Sequence, residues 1–389
     1  MLVEDYSFPR DEAMDISDLI SQLSSLKSDH EDWFEEYPIS DLIDLDSSSS
    51  QQHSQSYFDH LTFIPSLEDQ LSSHKKSKCW ILNCESSILE SEVVVKAHGN
   101  WEGIEREHGN LEKIKNAIKN DHQMKNYVVF CYGPPLQNLL TTLLHGIALD
   151  KGGENLEEYL KTTSSALNEN DRIALGDNFI EIVSTVHESG LVWMDCKLSN
   201  VVRFHFSLPE WRGIDFEHSL EVGEEIPSHH GCTVLYAPPE LVYFCSENEQ
   251  EEGEERKESL VASISMDMWS VGVCLVEIGT GESWLRMMDV RSKEELIELY
   301  RNDQELEERL SNLINIKLQN NKWAHLRNLL AKLLKIDPLT RLSCVDDVKS
   351  KSYFSHGRIT EDINQLRLNR RIEKKVDDTL QGVENLQMK

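Results

Sequence analysis

VWMDCKLSN, residues 192–200, sets Asp195, Lys197 and Asn200 in the spacing D-x-K-x-x-N, directly after a helix-like run that ends in HESG. An acid, a base and an amide within six residues of irregular sequence form the kind of cluster that carries chemistry, because site residues concentrate in loops held by regular elements. Upstream, DRIALGDNFIEIVSTVHESG (171–190) repeats apolar or small residues at Ile173, Gly176, Ile180 and Val183, and again at Leu175, Phe179, Ile182 and Val186. Two adjacent stripes predict a helix buried over much of its circumference. Downstream, VVRFHF and WRGI read as the arms of a β-hairpin between Asn200 and Asp215.

Order is expected to begin near KCWILNC (78–84), a run of strand length, followed by SEVVVKAHG (91–99), which is richer in β-branched residues. WEGIEREHGNLEKIKNAIK (101–119) places Ile104, Leu111, Ile114 and Ile118 near helical spacing, and YVVFCYG (127–133) returns to strand character. Beyond residue 151 the pattern is mostly helical. MDMWSVGVCLVEIGTG (266–281) is apolar nearly all round and predicts a central core helix, too short to span a bilayer. The fold class is therefore α+β, with a small β-rich part over 78–150 and a larger, mainly helical part over 151–354.

Residues 1–50 carry 14 acidic and 2 basic side chains and lead into SSSSQQHSQS. Such a stretch buries too little apolar surface to offset its ordering entropy, so 1–75 is expected to be a disordered acidic tail. Trp33, Phe34 and Tyr37 among its acids suit unknown protein partners, or are incidental to a solvated tail. SENEQEEGEERKE (246–258) reads as an acidic surface insertion, and 355–389 as a helical tail with Ile372, Val376, Leu380, Val383 and Leu386 near one side.

The net charge of -30 argues against a nucleic-acid or anionic-membrane surface, both of which require clustered Lys and Arg. The acidic start lacks the pattern of a signal peptide, and no apolar run has the length of a membrane span. The eight cysteines form no C-x-x-C pair and read as reduced thiols of a cytoplasmic or nuclear protein. HHGC (229–232) matches none of the common zinc spacings and reads as a polar surface loop.

Six segments, VVVK (93–96), DCKLSN (195–200), IDFEHS (214–219), TVLYAPPE (233–240), DMWSVGVCLVE (267–277) and DPLTR (337–341), together resemble the eukaryotic protein kinase family. The resemblance covers roughly 78–354 and implies a two-lobed fold that uses Mg²⁺ and ATP. It identifies Lys96 as the lysine that contacts the α- and β-phosphates, held by a helix carboxylate, for which Glu107 fits the helical pattern best and Glu112 is the alternative. Asp195 resembles the catalytic aspartate that orients a substrate hydroxyl, and Lys197 would reach the γ-phosphate, in a form nearer the serine/threonine branch. Asn200 and Asp215 would hold Mg²⁺. Leu149 to Lys151 resemble the hinge whose backbone pairs with adenine. Glu240 would pair with Arg341, and Asp267 would brace the catalytic loop.

The family pattern is broken in three places. NCESSILESE (83–92), expected to cover the phosphates, contains no glycine, so its backbone approaches a phosphate less closely. Glu217 stands where the family has glycine. Trp193 and Met194 replace a His and an Arg, which removes the partner of a phosphorylated activation segment. Two readings follow: a divergent Ser/Thr-type protein kinase, or a kinase-like scaffold with weak or no catalysis. A small-molecule kinase fits less well, because TVLYAPPE and the following helix form a peptide platform in the family.

Overall fold

The computed structural model describes residues 61–63, 79–86, 91–120, 127–136, 145–204, 210–228, 230–248, 259–319 and 324–342. The rest of the acidic tail, most of the acidic insertion and the C-terminal tail lie outside them. The described residues form two compact units. One contains those up to Tyr159 together with Thr185–Glu221, and the other contains Leu160–Ser184 and those from Val222 onward. The units do not follow a single cut at residue 150, since the loop around Asp195 and its hairpin group with the sheet.

The first unit is built on a five-stranded sheet in the order β1-β2-β3-β5-β4. Its strands are β1 (Leu61–Phe63), β2 (Cys79–Ser86), β3 (Ser91–His98), β4 (Cys131–Leu136) and β5 (His145–Asp150). In β3 the two-residue period buries Val93, Val95 and Ala97 on one face and places Lys96 on the other. Helix α1 (Trp101–Asn120) follows, with Ile104, Leu111 and Ile114 buried as the spacing predicts.

Three expectations are corrected here. Leu61–Phe63 pair with Ser86–Cys84, so a strand lies inside the stretch expected to be a disordered tail. NCESSILESE is largely strand: β2 and β3 pair up to Ser86↔Ser91, leaving only 87–90 as a connection. Lys96 therefore sits on the third strand in chain order. Finally, the apolar part of YVVFCYG does not join the sheet. Val128 bridges Gly213, while β4 starts at Cys131 and is irregular between Tyr132 and Leu136.

After β5 the chain enters α2 (Leu156–Thr163) and α3 (Glu169–Glu188), then β6 (Leu191–Val192). The expected hairpin is β7 (Val201–Arg203) against β8 (Trp211–Gly213), and β9 (Leu220–Glu221) pairs with β6. Gly152 is required by close approach: a Cβ there would lie 2.2 Å from Val202 Cγ1. With that approach open, Gly153 N–H donates to the Arg203 carbonyl at 2.8 Å and Arg203 N–H to the Glu154 carbonyl at 3.0 Å, which fastens the segment after β5 to β7.

The second unit holds α4 (Pro239–Asn248), α5 (Ile264–Thr280), α6 (Trp284–Met287), α7 (Lys293–Tyr300), α8 (Asp303–Asn312) and α9 (Ala324–Leu333). As expected, α5 is buried along nearly its whole length, Asp267 included. It stops at Gly281, whose φ of 75° is the left-handed geometry that ends helices. Arg341 binds Glu240 through two bonds of 2.7 and 3.0 Å, donates to the carbonyls of Ser265, Lys335 and Ile336, and lies 5.2 Å from the Trp269 ring centre.

Removing one partner of such a buried pair leaves the other uncompensated. Arg341→Ala is expected to lower unfolding stability by about 3 kcal/mol, measured by denaturant titration. A change below about 0.5 kcal/mol, the range of ordinary surface substitutions, would show that the pair contributes no more than a surface contact.

Candidate functional site

Lys96 is almost fully buried on β3, and an ammonium there requires compensating charge. Three carboxylates supply it: Glu107 Oε2 at 2.7 Å, Asp215 Oδ1 at 2.6 Å and Glu217 Oε2 at 3.2 Å. Glu107 reaches the ammonium because it lies in the apolar stripe of α1, between Ile104 and Leu111, and is fully buried. Glu112, the alternative, pairs with Lys115 instead. Burial pushes the Glu107 carboxyl up to about 7 against the opposing pull of Lys96. For Asp215, burial also acts upward, but Lys96 outweighs it and holds the group below the usual carboxylate range.

The turn carrying Asp215 and Glu217 is tied to α1 from several directions. Asn110, buried one turn after Glu107, donates its amide to the Phe216 carbonyl at 2.9 Å and the Ser219 carbonyl at 3.0 Å. Phe216 N–H donates to Glu107 Oε1 at 3.4 Å. Asn110 escaped the sequence reading, although a polar residue in a buried stripe was the available signal. Among the described residues, Glu107, Asp215 and Glu217 are the group of carboxylates close enough to share one cation. His230 and Cys232 form no such group.

Trp193 explains one departure. Its ring is fully buried and stacks on Phe216 with centroids 5.3 Å apart and planes at 23°. Its indole N–H donates to the Asp215 carbonyl at 3.3 Å, and its own carbonyl accepts from the Ser219 hydroxyl at 3.1 Å. The large residue thus clamps the Asp215 turn to the loop that carries Asp195. Met194 and Asp215 both adopt left-handed backbone, with φ of 66° and 65°, a strained state characteristic of functional loops. Glu217 does not, so the backbone freedom of a glycine is not used at that position.

Within the loop, Lys197 Nζ lies 2.5 Å from Asp195 Oδ2. Asn200 is buried and donates its amide to the Asp195 carbonyl at 3.0 Å and to Asp195 Oδ2 at 3.1 Å. Ile214 N–H donates to the Asn200 carbonyl at 2.9 Å, so the β7–β8 hairpin returns Asp215 to the neighbourhood of Asn200. Both would be hard oxygen donors, the ionised Asp215 carboxylate and the Asn200 amide oxygen left by its committed N–H₂, which fits Mg²⁺.

Leu149 is buried in β5, in register with Val94 on β3 and Cys131 on β4. Asp150 N–H donates to the Phe130 carbonyl at 3.1 Å, and the Asp150 carboxylate accepts from the Tyr132 hydroxyl and, at 2.9 Å, from Arg212. Lys151 follows the strand, its ammonium 2.7 Å from Glu92.

A family model described as "Protein kinase domain" matches residues 142–354. The matched stretch includes Leu149, Lys151, Asp195, Lys197, Asn200 and Asp215 and starts after Lys96 and Glu107. No curated protein matches the chain.

The raised Glu107 carboxyl makes stability depend on pH with a definite sign. It ionises near 4.5 in the unfolded chain and about 7 in the folded one, so folding takes up a proton between those values. The associated stability is fully present below pH 4.5 and is lost as pH rises through 7. Denaturation series at several pH values should show wild type losing stability over that window relative to Glu107→Gln. Parallel curves would mean that the carboxyl is already ionised at low pH.

Proposed function

The chain belongs to the protein kinase superfamily, and from that membership we propose an ATP-dependent protein kinase of the serine/threonine type, transferring the γ-phosphate of Mg-ATP to a hydroxyl of a protein substrate. The observation that carries this reading is the linked set Lys96–Asp215, Asn200–Ile214 and Asp195–Lys197–Asn200 inside one compact unit. Phosphoryl transfer depends on such positioning of charge more than on covalent chemistry.

In this reading Mg²⁺ supplies neutralisation of the phosphate oxygens. Asn200 and Asp215 hold it, and Lys96, fixed by Glu107, binds the α- and β-phosphates. The resemblance supports Leu149 and Lys151, near and just past the end of β5, as the adenine contacts. Asp195 accepts the hydrogen bond of the substrate hydroxyl and takes its proton as the oxygen bonds to the γ-phosphorus. The bond to the bridging oxygen breaks, Lys197 balances the charge that develops, and ADP leaves. The net charge of -30 supports a soluble setting in cytoplasm or nucleus, with protein partners and no nucleic-acid or membrane surface.

A second reading, a scaffold with weak or no catalysis, is favoured by Glu217 on Lys96 and by the absence of glycine in 83–92. Transfer of labelled phosphate to a generic Ser/Thr protein substrate separates the two. The kinase reading expects transfer that falls by roughly 100-fold or more in Asp195→Ala and Asp215→Ala. Equal labelling by wild type and both variants would refute it and leave the scaffold.

A further inference from the structure

Lys96 carries one carboxylate beyond Glu107 and Asp215. Glu217 makes the longest of the three contacts, at 3.2 Å, and its side chain is 28% exposed where that of Glu107 is fully buried. Its other oxygen, Oε1, lies 3.4 Å from His218 Nε2, so the side chain has a second partner outside the lysine cluster. Glu107 is fixed in the stripe of α1, and Asp215 is fixed by the Trp193 bond to its carbonyl and by its left-handed backbone. Of the three acids Glu217 is therefore the one that can move away without unpacking the core.

To an ammonium, a carboxylate oxygen and a phosphate oxygen offer the same anionic acceptor. We infer that Glu217 is an internal competitor for Lys96 that restricts nucleotide binding to the metal-bound form. The inference rests on the nucleotide reading given above. A metal-free nucleotide brings a polyanion to a lysine already surrounded by three acids, where like charges at short range repel. A divalent cation held by Asp215 offsets that repulsion, so Glu217 can turn toward His218 and yield the ammonium to phosphate. The specificity arises from an opposing charge built into the site rather than from an added attraction.

The test is ATP affinity of the full chain by calorimetry, once with excess Mg²⁺ and once with EDTA, for wild type, Glu217→Gln and Glu217→Gly, with melting temperatures as a check on folding. Wild type should bind at least about ten-fold tighter with Mg²⁺ than in EDTA, and removing the carboxylate should tighten binding in EDTA by about ten-fold, the order of effect of one close charge. Binding in Mg²⁺ should change by less than about three-fold. The isosteric Gln variant separates charge from volume, and Gly gives the same comparison if Gln fails to fold. If wild type does not bind Mg-ATP, the nucleotide reading falls and this inference with it. If wild type binds but the EDTA affinity of the variants is unchanged, the inference alone is overturned. Weaker Mg-ATP binding in both variants without a gain in EDTA would also overturn it, by assigning Glu217 to the cation instead.

Discussion

A single ammonium, that of Lys96, draws together β3, α1 and the turn after β8, and the local structure around it follows from compensating that one buried charge. A lysine on a mostly apolar strand is tolerated only with anionic partners at hydrogen-bond distance, and three are present within 3.2 Å. Three acids against one base leave the cluster with excess negative charge. The excess falls most heavily on Glu107, which has the least contact with water and so is driven furthest toward its neutral form. Asp215, partly open to solvent and at the shortest distance from the ammonium, moves the other way.

Side chains remote from the lysine maintain this arrangement. Asn110 holds the turn from α1, Trp193 holds it from the loop, and Ile214 connects it to Asn200 through the backbone. The anchors use different chemistry, an amide fork, a stacked indole with a donor N–H, and a strand-type hydrogen bond. Replacing any one leaves the others in place. Trp193 is a residue that looked incompatible with the family pattern and yet performs a defined task, because a ring with one N–H supplies both the stacking surface and the donor that the Asp215 turn requires.

Much of this was legible in the sequence where the signal is local. The stripe Ile104, Leu111 and Ile114 located α1 and singled out Glu107 over Glu112, and the two apolar arms between Asn200 and Asp215 foretold the hairpin. What escaped depends on distance along the chain. Leu61–Phe63 is too short for periodicity and lies in acidic, serine-rich surroundings, so the strand was missed. The YVVF run has the composition of a strand, yet Tyr127 and Val129 bond to Gly213, over eighty residues away, and Phe130 accepts from Asp150. The contact of Glu217 with Lys96 spans 121 positions, and composition at position 217 suggested only the loss of a glycine.

That last point changes what the absent glycine means. If backbone freedom were the issue, Glu217 would be strained, but its φ is ordinary and the strain sits on Asp215 and Met194. The substitution therefore acts through the side chain it adds. Under the proposed function, a carboxylate on Lys96 would not remove a group that catalysis uses; it would offer that lysine another ligand whose hold depends on nearby cations. Activity and silence would then be two occupancies of one lysine, with the balance between them set by divalent charge rather than by the presence or loss of catalytic residues.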